Sequence, residues 1–226
     1  MKKTIVLLFL LLCSTISIAH MGHYNKYNKI EMEIFRNGEL IGYNNYFFTN
    51  KGDETIVTNQ IKFSVKLLGK VIFKIEGYGE EKYIKDQLIS YNSKTLQNDK
   101  KKFVNLSFNK KKNNFHIKGS SYNGEASIDN IIGNWWNHKL LQAKSQISPV
   151  SGSIKKQLIT FISKEKIELY DKTYIVKHFK LKSKEKDLPD NKKLNFDIWF
   201  HDETGLILKI RYSRMGEWEY KLKNFE

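Results

Sequence analysis

Few side chains in this sequence combine a reactive type with a useful spacing. His20-Met21-Gly22-His23 sets two imidazoles around a thioether, a donor group suited to copper, and an α-amine would join it were the chain cut before His20. No partner ligand follows. His116, His138, His178 and His201 lie far apart and lack the close pairing that zinc sites use. The single cysteine, Cys13, sits in an apolar run near the start, and no Gly-x-Ser-x-Gly occurs, so nucleophilic catalysis has no candidate. The acid pairs Glu80-Glu81 and Asp202-Glu203 are sequence neighbours, which point to opposite faces of a strand. Glu80 or Glu81 would have to meet Asp197 and Asp202 across a sheet to act together. The sequence therefore leans away from an enzyme and implies no catalytic residue, no cofactor and no metal beyond the copper possibility at His20 and His23.

The residues that stand out are suited to binding. Trp135-Trp136 interrupts an otherwise regular pattern, with Leu140 shortly after it, while Phe196 and Trp218 fall on apolar rows near the end. Large aromatic and aliphatic faces of this kind line sites for apolar ligands. Trp135, Trp136, Leu140, Phe196 and Trp218 are the ligand-binding candidates.

These residues must be positioned by strands. Ile30, Met32 and Ile34 alternate with Lys29, Glu31 and Glu33; Ile61, Phe63, Val65 and Leu67 alternate with polar residues; so do Val104, Leu106 and Phe108. Leu194, Phe196, Ile198 and Phe200, then Leu206, Leu208, Ile210 and Tyr212, then Trp218, Tyr220 and Leu222 repeat the period of two that marks half-buried strands. Phe196 and Ile198 are expected to be buried, with Asn195 and Asp197 outward or on a polar rim. Asn37-Gly38, Lys51-Gly52-Asp53, Asn98-Asp99, Asn113-Asn114, Asn123-Gly124 and Glu203-Thr204-Gly205 read as tight hairpin turns. The fold class is all-β: a single-domain antiparallel meander curled into a large open or closed barrel, with one short helix. That helix falls in residues 130–153, where Asn134 is placed to cap about ten residues with Leu140 and Leu141 facing inward. The segment reads as a lid or plug. Residues 182–193, dense in charge around Pro189, read as a solvated hairpin loop.

Met1-Lys2-Lys3, the apolar run from Ile5 to Cys13 and Ser17-Ile18-Ala19 form the three parts of a secretory signal. The run is shorter than the roughly 20 residues of a spanning helix, and Leu12 stands where a small residue would precede a lipidated cysteine. Residues 1–19 are thus expected to be a signal peptide, 20–28 a flexible mature N-terminus and 29–226 a single β-meander domain in the periplasm. The 39 Lys+Arg against 24 Asp+Glu give a formal charge of +15, yet Arg36, Arg211 and Arg214 are the only arginines. Nucleic-acid readers depend on the arginine fork, so nucleic acid is not an expected partner. An anionic envelope surface fits the charge and the compartment better. A composition of 40% hydrophobic and 13% aromatic residues excludes both a multi-span membrane protein and a disordered chain.

Asn37-Gly38-Glu39-Leu40-Ile41-Gly42, Glu80-Glu81-Lys82-Tyr83 with Leu88 and Ser90, Thr95-Leu96-Gln97-Asn98, Trp136-Asn137, and Phe196 to Asp202 with Gly205-Leu206 occur in that order. Together they resemble a family of exported bacterial β-proteins classed as a domain of unknown function. More distantly the layout is similar to the half-open barrels of periplasmic lipoprotein carriers. The resemblance departs at Asp99, where a glycine would follow Asn98, and it brings no catalytic residues. It implies a non-catalytic periplasmic protein that binds or carries an acyl or isoprenoid ligand inside a curved sheet. The alternative is an envelope interaction or structural protein with a filled barrel, and cavity volume separates the two.

Overall fold

The computed structural model describes residues 20–226; the expected signal peptide, 1–19, lies outside the described residues. Fifteen strands follow in chain order: β1 (Lys29–Arg36), β2 (Glu39–Lys51), β3 (Glu54–Leu67), β4 (Lys70–Ile84), β5 (Gln87–Gln97), β6 (Lys100–Asn109), β7 (Asn114–Gly119), β8 (Asn123–Ser127), β9 (Ile131–Ile132), β10 (Ser145–Ile147), β11 (Ile154–Leu169), β12 (Lys172–Ser183), β13 (Asn195–His201), β14 (Leu206–Ser213) and β15 (Glu217–Phe225). They form one sheet in which sequence neighbours pair, running from β8 back to β1, across to β15, and back again to β9 at the far edge. The pairings are antiparallel except for β9 with β10. β8 and β9 do not pair, so the sheet curls without closing. The 120–122 loop nevertheless touches the plug, where the Ser121 N–H donates to the Ser151 carbonyl at 2.9 Å.

Alternation decides which face curls inward. Ile30, Met32, Ile34, Val104, Leu106, Ile117, Leu206, Leu208 and Ile210 are all buried; the residues between them on β1 and β6 are polar and turn outward, whereas Ile207 on β14 is buried as well. β13 is covered on both faces. Ile198 is fully buried on the inner side, while Trp199 on the outer side is stacked at 4.6 Å by His178 and approached by Lys209 and Arg211. Phe196 is half-buried rather than buried, its ring packed edge-on to Trp135 at 5.1 Å and Tyr212 at 5.2 Å. Asn195 is exposed, and Asp197 accepts from Lys180 and lies 2.9 Å from His178.

Three further sequence expectations are corrected. Asn123-Gly124 opens β8 instead of forming a turn; the hairpin bends at Ser120 to Tyr122, closed by the Gly119 N–H on the Tyr122 carbonyl. Asn134 caps no helix, because its side chain is engaged elsewhere. Asn137 caps a shorter 3-10 helix, His138–Leu141, by accepting from the Lys139 N–H at 3.0 Å. The 20–28 segment, expected to be flexible, is packed: a helical turn, His20–Tyr24, buries Met21 and Tyr24, and Tyr27 is buried beyond it. Tyr27 donates to the Thr204 carbonyl at 2.7 Å, and His23 Nε2 lies 3.0 Å from the same oxygen. Gly205 makes this docking possible. Its φ is +68°, and a Cβ there would fall 1.8 Å from the His23 ring.

The meander gives the half-barrel two unlike ends. One carries the N-terminal turn with Asp53, Asp86 and the 202–205 turn, and the other carries the tips Asn37-Gly38, Leu68-Gly69, Asn98-Asp99 and Met215-Gly216. The register of β13 is open to test. Ile198→Ala should cost about 2 to 5 kcal/mol in urea denaturation, and Asn195→Ala should stay within about 0.5 kcal/mol. Equal losses at the two positions would mean that the strand faces are misassigned.

Candidate functional site

Residues 128–153 cross the concave face of the sheet, and one carboxylate holds them there. Glu81 on β4 is 2% exposed. Its carboxylate accepts from Asn134 Nδ2 at 2.7 Å, Trp136 Nε1 at 2.8 Å and the Tyr83 hydroxyl at 2.6 Å. Two of those donors belong to the plug. Burial holds the Glu81 carboxyl above the ordinary value of 4.5, and the three donors pull the other way without overcoming it. Further ties run from the plug to the wall: the Tyr46 hydroxyl takes the Trp135 N–H at 3.2 Å, and Tyr91 and Ser93 both donate to the Pro149 carbonyl, at 2.9 and 2.7 Å. Gln157 on β11 closes the far side with bonds to the Leu140 and Ala143 carbonyls.

The plug divides the concavity. Around Trp136, toward the N-terminal turn, the space is packed, with the indole meeting Tyr24, Phe48 and Tyr83 edge-on at 4.9, 5.5 and 6.0 Å. The Tyr24 hydroxyl takes the His138 N–H at 3.0 Å, and burial pushes the His138 imidazole below its ordinary value against the opposing bond to the Gly205 carbonyl. On the other side of Trp135 a cavity of about 450 Å³ remains. Phe63, Phe73, Ile75, Trp135 and Trp218 are among its apolar walls, while Arg36 and Arg214 stand where the walls reach the strand tips. The Arg36 guanidinium lies over the Trp218 ring and donates to the Met215 carbonyl. The space exists because the inner row of β4 runs Phe73, Ile75, Gly77, Gly79, Glu81, Tyr83. A Cβ at Gly79 would sit 2.9 Å from the Tyr91 hydroxyl, and one at Gly77 3.0 Å from Ile61.

The ligand-binding candidates separate accordingly. Trp135 and Trp218 line the cavity. Trp136 and Leu140 are fully buried structural members of the plug, and Phe196 backs the Trp135 ring. The acids do not converge, since Glu81 anchors the plug, Asp197 pairs with Lys180, and Asp202 pairs with Lys177. Met21 is packed in the core, and among the described residues no three or more His, Cys, Asp or Glu are grouped so that they could hold a metal ion. Sequence reasoning missed Glu81 as an anchor and the glycines as the source of space. The parity of β4 held the signal, because Glu81 shares the inner row with Tyr83 and Ile75.

An uncapped meander wound around its own crossing segment defines a β-barrel-like protein with a plugged interior. The chain belongs to the family described as a domain of unknown function, DUF6134, matched over residues 32–223. Among solved structures it is similar to a β-barrel-like protein of another domain of unknown function, DUF1849, from Brucella abortus. The TM-score is 0.58 at 8% identity, covering 88% of this chain and 95% of that one. A protein from Bacteroides fragilis described as exported, with a YmcC-like fold, matches at TM-score 0.36 and 8% identity, over 89% of this chain and 97% of that one. No curated protein matches the sequence. The likeness to the Brucella protein is one of fold.

The Glu81 anchor predicts a pH dependence whose sign follows from its raised native value. The native state keeps the Glu81 proton to higher pH than the unfolded chain does. Stability linked to this group is therefore full below about pH 4.5 and declines as pH rises through the native value. Glu81→Gln should remove that decline in denaturation curves collected across pH, since its amide can still serve the plug donors. Glu81→Leu should cost about 3 kcal/mol or more by stranding the buried donors. If Gln and Leu behave alike, the carboxylate does not anchor the plug.

Proposed function

We propose that the protein is a non-catalytic, exported periplasmic protein that binds or carries an acyl or isoprenoid ligand in the cavity beside Trp135. The cavity carries this reading. Its 450 Å³ falls within the roughly 300–1,000 Å³ of small-molecule sites, and aromatic and aliphatic side chains make up most of its walls. Small barrels ordinarily fill their interiors with side chains. Here the space around Trp136 is packed by Tyr24, Phe48 and Tyr83 while the space before Trp135 is open, although the inner rows are otherwise bulky. The export reading rests on the Met1 to Ala19 pattern. Arg36 and Arg214 at the opening suit a ligand whose apolar chain ends in an anionic head.

The test is a titration with palmitate and with farnesol, read by tryptophan emission. Entry of either ligand removes water from the Trp135 face, so emission should shift blue in the wild type. Trp135→Phe should abolish most of the shift. Ile75→Trp, which puts a second ring into the cavity, should block binding while leaving the melting temperature within a few degrees. An unchanged spectrum with both ligands sinks the proposal and leaves an envelope interaction protein that works through its surface.

A further inference from the structure

Among the described residues seven non-glycine turn positions have left-handed backbone, Lys85 and Tyr170 at the N-terminal end among them, and two at the cavity end, Leu68 and Met215, are apolar. Left-handed backbone falls on Asn37, Asn98 and Asn113, with φ of 50°, 52° and 50°, and asparagine tolerates that region better than most residues. Leu68 and Met215 occupy the same position in their own tips, with φ of 48° and 52°, each followed by glycine. Leu68 is 95% exposed and Met215 86%. Each tip thus combines a strained backbone with a large apolar side chain left in water. Tyr170, at the opposite end, has similar backbone, but its hydroxyl is held by Glu33 at 2.6 Å.

The surroundings of the two tips are consistent with one another. Leu67, Val71 and Ile72 are exposed beside Leu68, and Ile72 and Met215 both border the cavity, so the tips flank its opening. Arg36, Lys66, Lys70, Lys100, Lys101 and Arg214 stand at this end against Glu39, Asp99 and Glu217. Lys155 lies beside Arg214 and Lys192; burial first, and then these cations, hold its amine below the ordinary lysine value. Residues 67–72 and 214–216 contain no aromatic or amide side chain. Lysine is depleted at protein–protein interfaces, whereas aliphatic tips within a lysine-rich rim match an anionic bilayer.

We propose that the β3–β4 and β14–β15 tips dock the cavity opening onto an anionic lipid bilayer, with Leu67, Leu68 and Met215 entering the acyl boundary and the basic rim lying on the headgroups. This goes beyond ligand binding, since a barrel with an empty cavity would dock in the same way. It gives an acyl or isoprenoid ligand a path from membrane to cavity that does not cross water.

The experiment is co-sedimentation of the mature protein with vesicles of phosphatidylcholine alone and of phosphatidylcholine mixed with phosphatidylglycerol, with no fatty acid added. The wild type should bind the mixed vesicles at least about tenfold more tightly than the neutral ones, and added salt should weaken it. The double substitution Leu68→Asn with Met215→Asn restores the turn residue used elsewhere in the chain. It should leave the melting temperature equal or higher while lowering vesicle binding by about tenfold or more. Lys66→Gln with Lys70→Gln should weaken binding to mixed vesicles only. The proposal falls if the wild type stays in the supernatant, if both vesicle types bind it equally, or if the Asn variant sediments like the wild type. It falls equally if sedimentation velocity shows a wild-type dimer that the Asn variant dissociates, because the tips would then be a surface between copies. A null palmitate titration with intact vesicle binding would defeat the cavity reading alone.

Discussion

A carboxylate sealed inside a curled sheet sets the terms for the rest of this molecule. Taking a charge out of water costs several kcal/mol unless donors replace the lost hydration, and Glu81 finds three. Tyr83 supplies one from the same strand. The other two arrive with residues 134 and 136, far along the chain, so the crossing segment has only one depth at which every donor is matched. That depth places Trp136 among Tyr24, Phe48 and Tyr83 and turns Trp135 the other way. The division between a packed surround for Trp136 and an open space before Trp135 follows from one set of polar contacts. The apolar bulk on either side makes those contacts strong by excluding water.

Much of this architecture was legible in the order of residues, because a strand writes its two faces in alternate letters. β1, β6 and β14 needed nothing more than Ile30-Met32-Ile34, Val104-Leu106 and Leu206-Leu208-Ile210 to declare their inner rows. The neighbour-to-neighbour pairing followed from the short turns. What local reading could not supply is whatever depends on contacts distant in sequence. Asn134 looks like a helix cap until a carboxylate fifty-three residues earlier claims it. His20 to Asn28 looks like a loose end until the 202–205 turn meets it. The tandem tryptophans carry identical side chains, and only the path of the plug gives one a structural duty and the other a wall of the cavity.

Charge tells a similar story at lower resolution. A lysine-rich composition says little about where positive potential gathers, and several cations here are spent on local pairs such as Lys82 with Glu54 and Lys112 with Glu125. Two of the three arginines nevertheless border one cavity. Their planar, permanently charged groups stack and fork in ways that lysine does not, as Arg36 does over Trp218. Position within the fold, more than abundance, distinguishes these two residues from the basic background.

The sheet order also bears on how the chain acquires its shape. β1 lies between β2 and β15, so the middle of the sheet joins the first strand to the last, with side-chain contacts such as Lys223 to Glu33 spanning 190 positions. Each arm can zip locally from hairpin to hairpin, but the seam between the arms waits for the final strand. Contact order of this kind slows folding, and it leaves the central edge of β1 unpaired until nearly the whole chain is available. The half-barrel is thus locked only when its last residues arrive, and until then each arm keeps an open edge at the seam.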